Sequence, residues 1–264
     1  MDLQLSDKTA FISGSTAGIG YAIAAGLAKE GATVILNSRK QARVDEAIAQ
    51  LQSEGVTGKL MGIAADLSTA AGAAQVAEQF PEVDILVNNV GIYDPKPFEE
   101  ITDEEWLNFY QINVMSGVRL SRAYLPGMKQ RNWGRIIFLS SESGVHIPGP
   151  MVHYGMTKAA QIAIARGLAE TTAGTQVTVN SVLAGPTYSE GVKEFVEQMA
   201  SAQNKDVAAV ESDFFQETRP TSLIQRFASP EEVANLVTYV ASPLSSATNG
   251  APLRVEGGCI RAAF

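Results

Sequence analysis

Short apolar runs alternate with segments of helix length along the whole chain, and this alternation leaves few folds open. The runs suited to buried strands are residues 9–12, 33–36, 60–64, 85–87, 136–139, 177–182 and 253–255. Parallel strands need long crossover connections, which helices supply on both faces of a sheet. The pattern predicts an α/β fold with a doubly wound parallel sheet of about seven strands, in a single domain over residues 1–264.

The composition argues against several classes of protein. The formal net charge of -8 disfavours nonspecific binding to nucleic acid. There is no apolar run of about eighteen residues and no secretion signal at the N-terminus, so we expect no membrane partner. One cysteine, Cys259, and two histidines make a disulfide or a metal site unexpected. The single cysteine fits a reducing, cytoplasmic location.

A glycine-rich turn joins the first predicted strand to the helical pattern of residues 21–30. It has the spacing G-x-x-x-G-x-G, and its candidate cofactor contacts are Gly14, Ser15, Thr16, Gly18, Ile19 and Gly20. Glycines at such a junction let backbone N–H groups and the positive end of the helix approach a pyrophosphate. A nucleoside-triphosphate loop is excluded because no Gly-Lys-Ser/Thr follows. A tight turn without a ligand is the alternative.

Polar residues follow the next three strands. In dinucleotide-binding folds an acidic residue after the second strand binds a ribose 2'-hydroxyl, whereas an arginine accommodates a 2'-phosphate; this chain has Ser38 and Arg39 there. After the third strand, Asp66 and Leu67 are candidates for an adenine contact, with an N-cap role for Asp66 as the alternative. After the fourth, Asn88–Gly91 is a turn that allows close approach of a ligand.

The fifth strand leads through a loop rich in Gly and Pro into a helical pattern that starts near Val152. Tyr154 and Lys158 are four residues apart and share a helix face, and Ser141 lies at the strand's exit. A lysine ammonium about 4 Å from a phenol would lower its pKa by roughly three units. The cluster predicts proton transfer at a carbonyl or alcohol oxygen. A helix-surface pair is the alternative.

Taken in order, these motifs resemble the short-chain dehydrogenase/reductase family over nearly the whole chain, which implies a Rossmann-type fold. Asn88–Gly91 is similar to the family's Asn-Asn-Ala-Gly turn, with Val90 in place of alanine. The resemblance implies a catalytic set of Asn113, Ser141, Tyr154 and Lys158. In this set Asn113, inside a helical pattern from Asp103 to about Gln130, would hold a water that links Lys158 to a proton relay.

The resemblance also implies a cofactor, a lid and an assembly. Arg39 resembles the NADP-preferring members, so NADPH is expected and NAD less so. Tyr154 and Lys158 would also contact the cofactor, and the nicotinamide would meet Pro186, Thr187 and Ser189, although the proline is displaced by two positions. Residues 188–219 correspond to a substrate lid, and a surface helix pair is a compatible alternative. The family commonly forms dimers or tetramers.

We therefore expect an NADPH-dependent oxidoreductase that acts on a small carbonyl compound or secondary alcohol. The alternatives are a family member that reduces an activated C=C bond and a cofactor-binding regulator without turnover. His146 and His153 flank the catalytic loop, and we expect structural roles for them.

Overall fold

The structure is a computed structural model that describes residues 2–263 and contains the predicted sheet. Its strands are β1 (Thr9–Ile12), β2 (Thr33–Ser38), β3 (Leu60–Ala64), β4 (Ile85–Asn88), β5 (Gly134–Ser141), β6 (Val177–Ala184) and β7 (Pro252–Val255). All pairings are parallel, and the strand order is β3-β2-β1-β4-β5-β6-β7. The predicted doubly wound sheet is confirmed.

Five strands, β2, β4, β5, β6 and β7, extend beyond their apolar runs, and β5 extends the furthest. β5 continues through Ser140 and Ser141, which pair with Leu183 and Ala184 of β6. Both strands are buried along their whole length. The pairing of two central strands therefore extends the ladder over polar residues that an apolar run excludes.

The helices are α1 (Gly18–Lys29), α2 (Gln41–Ser53), α3 (Ala70–Gln79), α4 (Asp103–Phe109), α5 (Ser116–Gln130), α6 (Val152–Glu170), α7 (Glu190–Gln203), α8 (Val207–Asp213) and α9 (Pro230–Ala241). One face of the sheet packs against α1, α2 and α9, and the other against α3, α5 and α6. The side chains of successive strand residues pack on opposite faces of the sheet, as those of Ile137 and Phe138 in β5 do. Within residues 2–263 no helix combines the length and apolarity needed to cross a membrane.

The predicted helix from Asp103 to Gln130 is wrong in its middle. It starts as expected, at a capping box formed by Thr102 and Glu105. A π-helical turn, Tyr110–Met115, then separates α4 from α5 and contains Asn113. Single π turns inside α-helices often lie at functional sites, because the widened turn redirects a side chain.

The segment predicted as a lid forms a helical pair with its own apolar cluster. α7 and α8 are followed by a π-helical turn, Phe214–Thr218. Their buried side chains Val196, Ala200, Val210 and Phe215, with Phe227 from the loop before α9, make a cluster separate from the two main cores. The helix-pair interpretation is thus correct, and it leaves the lid interpretation open.

Candidate active site

The predicted site residues meet at the carboxyl edge of the sheet. β1 and β4 are neighbours, and the chain winds outward from them in opposite directions. Such a reversal leaves a crevice between the loops that follow the two strands, which is where open α/β sheets bind ligands.

The glycine turn after β1 has a backbone that favours glycine. Gly14 and Gly18 have φ angles of 62° and 55°, in the left-handed region. A Cβ on Gly20 would clash with the Gly14 carbonyl oxygen and lie 2.5 Å from the Asn89 side-chain nitrogen. The N-cap of α1 is Ala17, which has no side chain able to accept a hydrogen bond from the first turn. The helix end is therefore suited to an external anion.

A cavity of about 180 Å³ lies beside this turn, at the carboxyl ends of β2 and β3. Six of its lining residues were predicted as cofactor contacts: Gly14, Ser38, Arg39, Asp66, Leu67 and Gly91. Six were not: Asn37, Ala65, Ser68, Val90, Ile92 and Ile112. Asn37 is detectable as a polar residue inside an apolar strand. Its Oδ1 accepts a hydrogen bond of 3.2 Å from Gly14 N, so it supports the glycine turn.

Other predicted contacts have structural roles. The buried Ser15 hydroxyl donates to Ile12 O at 2.8 Å and accepts from Asn37 N at 3.0 Å. Ile19 packs against the core on the side of α1. The buried Asn88 donates from Nδ2 to Ser121 Oγ at 3.1 Å. These three side chains therefore support the elements that form the crevice.

Arg39 and Asp66 both line the cavity. Arg39 is exposed, and its guanidinium makes no ion pair or hydrogen bond within residues 2–263. The Asp66 carboxylate accepts from the Ser68 hydroxyl at 2.7 Å and from Ser68 N at 3.0 Å. These bonds, with the charge of Arg39, hold the pKa of Asp66 below its usual value. The alternative that Asp66 caps α3 is wrong, since the N-cap is Thr69, whose hydroxyl accepts from Gly72 N.

The loop after β6 reaches the glycine turn through Ser189. A Cβ on Gly18 would lie 3.2 Å from Ser189 Cβ. Thr187 is instead buried and donates to Gly185 O at 2.9 Å, and the Pro186 carbonyl accepts from Ala228 N at 2.9 Å. Thr16 lines a second cavity, of about 280 Å³, together with Gly18 and residues of α2.

Tyr154 and Lys158 lie on one face of α6, as predicted, but their electrostatics differ from the prediction. The Lys158 Nζ is 5.5 Å from the Tyr154 ring centroid. It donates to Leu139 O at 2.8 Å and to Gln161 Oε1 at 3.2 Å. Burial lowers the pKa of Lys158 to about 8. The Lys158 ammonium is thus held by hydrogen bonds to the Leu139 carbonyl and to Gln161, and not by one to the Tyr154 hydroxyl.

The prediction that Lys158 lowers the pKa of Tyr154 is wrong for the polypeptide by itself. Burial raises the pKa of Tyr154 to about 12, and the charge of Glu142 adds to the rise. The neighbouring Ser141 hydroxyl and Arg219 oppose it. The Ser141 hydroxyl also accepts from Ser143 N at 3.1 Å. At neutral pH Tyr154 is therefore protonated, the form that can donate a proton.

Asn113 is linked to Lys158 by Gln161, a residue that the sequence motifs did not indicate. Its side chain is bound by the protein: Oδ1 accepts from Ile92 N at 2.8 Å, and Nδ2 donates to Ile92 O and to Thr157 Oγ1. Its backbone carbonyl accepts from Gln161 Nε2 at 2.6 Å. The Gln161 carboxamide thus bridges the Asn113 carbonyl and the Lys158 ammonium, and the expected water link stays a prediction. The signal for Gln161 was a polar residue three positions after Lys158, on the same helix face.

The histidines lie outside this group. His153 is buried, its ring centroid 4.0 Å from that of Phe109, and burial lowers its pKa. His146 is exposed and is held through its backbone N–H by Glu142 O at 2.8 Å. Among residues 2–263 no three side chains of His, Cys, Asp or Glu are placed to hold a metal ion.

Comparisons with known proteins cover the whole of this architecture. The family model "short chain dehydrogenase" matches residues 8–200. In Bacillus subtilis, "Uncharacterized oxidoreductase YvaG" is 47% identical over 264 residues, with 100% of both chains covered. YvrD, from the same organism and also described as an uncharacterized oxidoreductase, is 50% identical, with 99% of both covered.

A solved structure is similar over the same extent. L-Sorbose reductase from Gluconobacter frateurii, complexed with NADPH and L-sorbose, has a TM-score of 0.92 and 32% identity. The similarity covers 99% of this chain and 100% of that one.

Proposed function

The chain belongs to the short-chain dehydrogenase/reductase family, oxidoreductases acting on alcohol or carbonyl groups, and from this premise we propose that it is an NADPH-dependent reductase of a small carbonyl compound. The observation that carries the proposal is the position of Gly91. It lines the cavity beside the glycine turn, and a Cβ on it would lie 3.4 Å from Asn113 Oδ1 and 3.6 Å from Lys158 Nζ. The cavity beside the glycine turn and the proposed proton-transfer group therefore adjoin.

The residues of the crevice fit a nicotinamide dinucleotide. The left-handed glycines and the uncapped start of α1 suit its pyrophosphate. Asp66 and Leu67 would hold the adenine, and Lys158 the ribose next to the nicotinamide. Bound in this crevice, the cofactor would supply the hydride.

The side chains divide the remaining chemistry. Tyr154, protonated at neutral pH, donates the proton to the substrate oxygen. The Ser141 hydroxyl holds that oxygen by a hydrogen bond. Asn113 and Gln161 hold Lys158 in place, with its ammonium facing the crevice.

A Tyr154→Phe variant tests this assignment, because only the ionisable hydroxyl is lost. Turnover should fall by about 10² to 10⁴, the usual contribution of an acid or base, with NADPH binding retained. Consumption of NADPH should be followed with a carbonyl panel that includes ketoses, since the similar L-sorbose reductase binds one. Retention of more than about a tenth of wild-type kcat would exclude Tyr154 as the acid. Product analysis would separate an alcohol product from a reduced C=C bond.

We assign the cofactor preference to Arg39. A guanidinium can hold the 2'-phosphate by two parallel hydrogen bonds, and Ser38 adds no opposing charge. Hydrogen bonds to charged groups contribute about 1.5 to 3 kcal/mol, or roughly a 10- to 150-fold change in affinity. Support comes from the exposed guanidinium at the cavity wall, without a partner in the described chain.

The test measures dissociation constants of NADPH and NADH for the wild type, Arg39→Ala and Arg43→Ala. Arg43, 3.6 Å from Glu190, is a neighbouring control that already has an acidic partner. Arg39→Ala should lose most of the preference for NADPH, and Arg43→Ala should keep it. A wild type that prefers NADH, or an unchanged ratio in Arg39→Ala, would refute the assignment.

Residues 188–219 are proposed to close over the substrate. A Cβ on Gly191 would lie 3.6 Å from the Tyr93 hydroxyl, and the Tyr93 and Tyr154 rings meet edge to face at 6.4 Å. The first turn of α7 therefore lies over the approach to Tyr154. A cytoplasmic homo-oligomer also remains a proposal, and light scattering would test the assembly.

A further inference from the structure

A buried ion pair joins the end of the segment proposed as a lid to the catalytic loop. Arg219 Nε donates to Glu142 Oε1 at 3.0 Å, across 77 residues of sequence. The two side chains are 9% and 3% exposed. Among the ion pairs within residues 2–263, no other has both side chains less than a tenth exposed. This pair is therefore built into the protein rather than formed at its surface.

The Glu142 carboxylate depends on Arg219. Its second oxygen, Oε2, is buried and accepts no hydrogen bond from the part of the chain that the structure describes. Arg219 also donates from Nη1 to Thr218 O at 3.0 Å, so the segment proposed as a lid itself holds the guanidinium. Because a buried charge without a partner is strongly unfavourable, displacement of the lid end would leave Glu142 uncompensated.

The pair lies beside the group that would transfer the proton. Glu142 directly follows Ser141 in the chain, and Ser141 adjoins the Tyr154 hydroxyl. We propose that Arg219 and Glu142 are positioning residues whose opposite charges hold the lid end against the catalytic loop and cancel each other at the Tyr154 hydroxyl. This inference rests on the proposed role of Tyr154 as the acid.

The groups that face Tyr154 come from several elements. Glu142 and Tyr93 raise its pKa, whereas Ser141 and Arg219 lower it. Lys158, on the same helix, faces the ring at 5.5 Å.

Next to the pair lies Cys259, whose pKa is raised to about 11 by burial and then by Glu142 and Glu256, with Ser222 and Arg219 opposing. The thiol is therefore neutral near pH 7 and adds no charge beside the ion pair of Arg219 and Glu142. Removing the negative charge of Glu142 should then lower the pKa of Tyr154, and removing the positive charge of Arg219 should raise it.

The experiment is an NMR titration of the full chain labelled with 13Cζ-tyrosine. The chain has 7 tyrosines, and the resonance that is absent in Tyr154→Phe is that of Tyr154. Glu142→Gln should lower the Tyr154 pKa and Arg219→Met should raise it, each by about half a unit or more. The double variant should return within about 0.3 unit of the wild type, because both charges are gone. Arg219→Lys keeps the charge and should titrate like the wild type.

The matched control is Arg226→Met, which breaks the exposed pair of Arg226 and Glu232, 2.8 Å apart, and should leave the resonance unmoved. Shifts of the same sign in Glu142→Gln and Arg219→Met, or no shift in either, would overturn the proposal. If Arg219→Met does not fold, Glu142→Gln decides, because a glutamine amide oxygen can still accept from Arg219, which also keeps its bond to Thr218 O. A lowered pKa of Tyr154 supports the proposal and an unchanged one refutes it. Turnover of Tyr154→Phe tests the role of Tyr154 separately, so the two failures are distinguishable.

Discussion

Replacing Gln161 by leucine should destabilise the protein, because Gln161 joins two buried groups. Its side chain is 1% exposed, donates to Asn113 O at 2.6 Å and accepts from Lys158 Nζ at 3.2 Å. Leucine has a similar volume and can make neither bond. The carbonyl and one ammonium donor would then be buried without a partner.

The size of the loss follows from these two bonds. An unsatisfied buried acceptor costs about 1 to 3 kcal/mol, and a hydrogen bond to a charged group contributes about 1.5 to 3 kcal/mol. The longer bond to Lys158 argues for the lower part of the summed range. We expect the free energy of unfolding to fall by about 3 kcal/mol.

Urea unfolding followed by far-UV circular dichroism measures this difference. The control is Gln41→Leu, because Gln41 is exposed and bonds only Asp45 on α2, at 2.8 Å. The control should lie within about 0.5 kcal/mol of the wild type. A loss below about 1 kcal/mol for Gln161→Leu, or one equal to the control's, would refute the role given to the carboxamide.

Two further predictions concern Lys158 and the lid. The pKa of Lys158 in the folded chain, about 8, lies below the ordinary 10.5, so the unfolded chain binds more protons between these values and stability should rise with pH across that window. Lys158→Met should lack this contribution; equal changes in unfolding free energy between pH 7.5 and 9.5 for variant and wild type would contradict it. Hydrogen exchange in residues 188–219 should slow when NADPH and substrate are both bound. Equal protection with and without them would leave the lid without support.

Local patterns were sufficient for the sheet and for much of the crevice. Apolar runs predict buried strands because each strand lies between two helix layers. The φ angles at Gly14 and Gly18, and the shared face of Tyr154 and Lys158, depend on neighbours only a few residues away. Patterns of this kind predicted where the strands lie and half of the residues that line the cavity.

Charge and hydrogen bonding at the site depend instead on residues far apart in the chain. Gln161 reaches Asn113 across 48 residues, and Arg219 reaches Glu142 across 77. The pKa of Tyr154 rises rather than falls because burial outweighs its neighbours. Burial is set by elements that pack together only in the folded chain. The residue types and spacing thus predicted the fold and part of the candidate site, whereas the packed structure determined the protonation and the partners of its side chains.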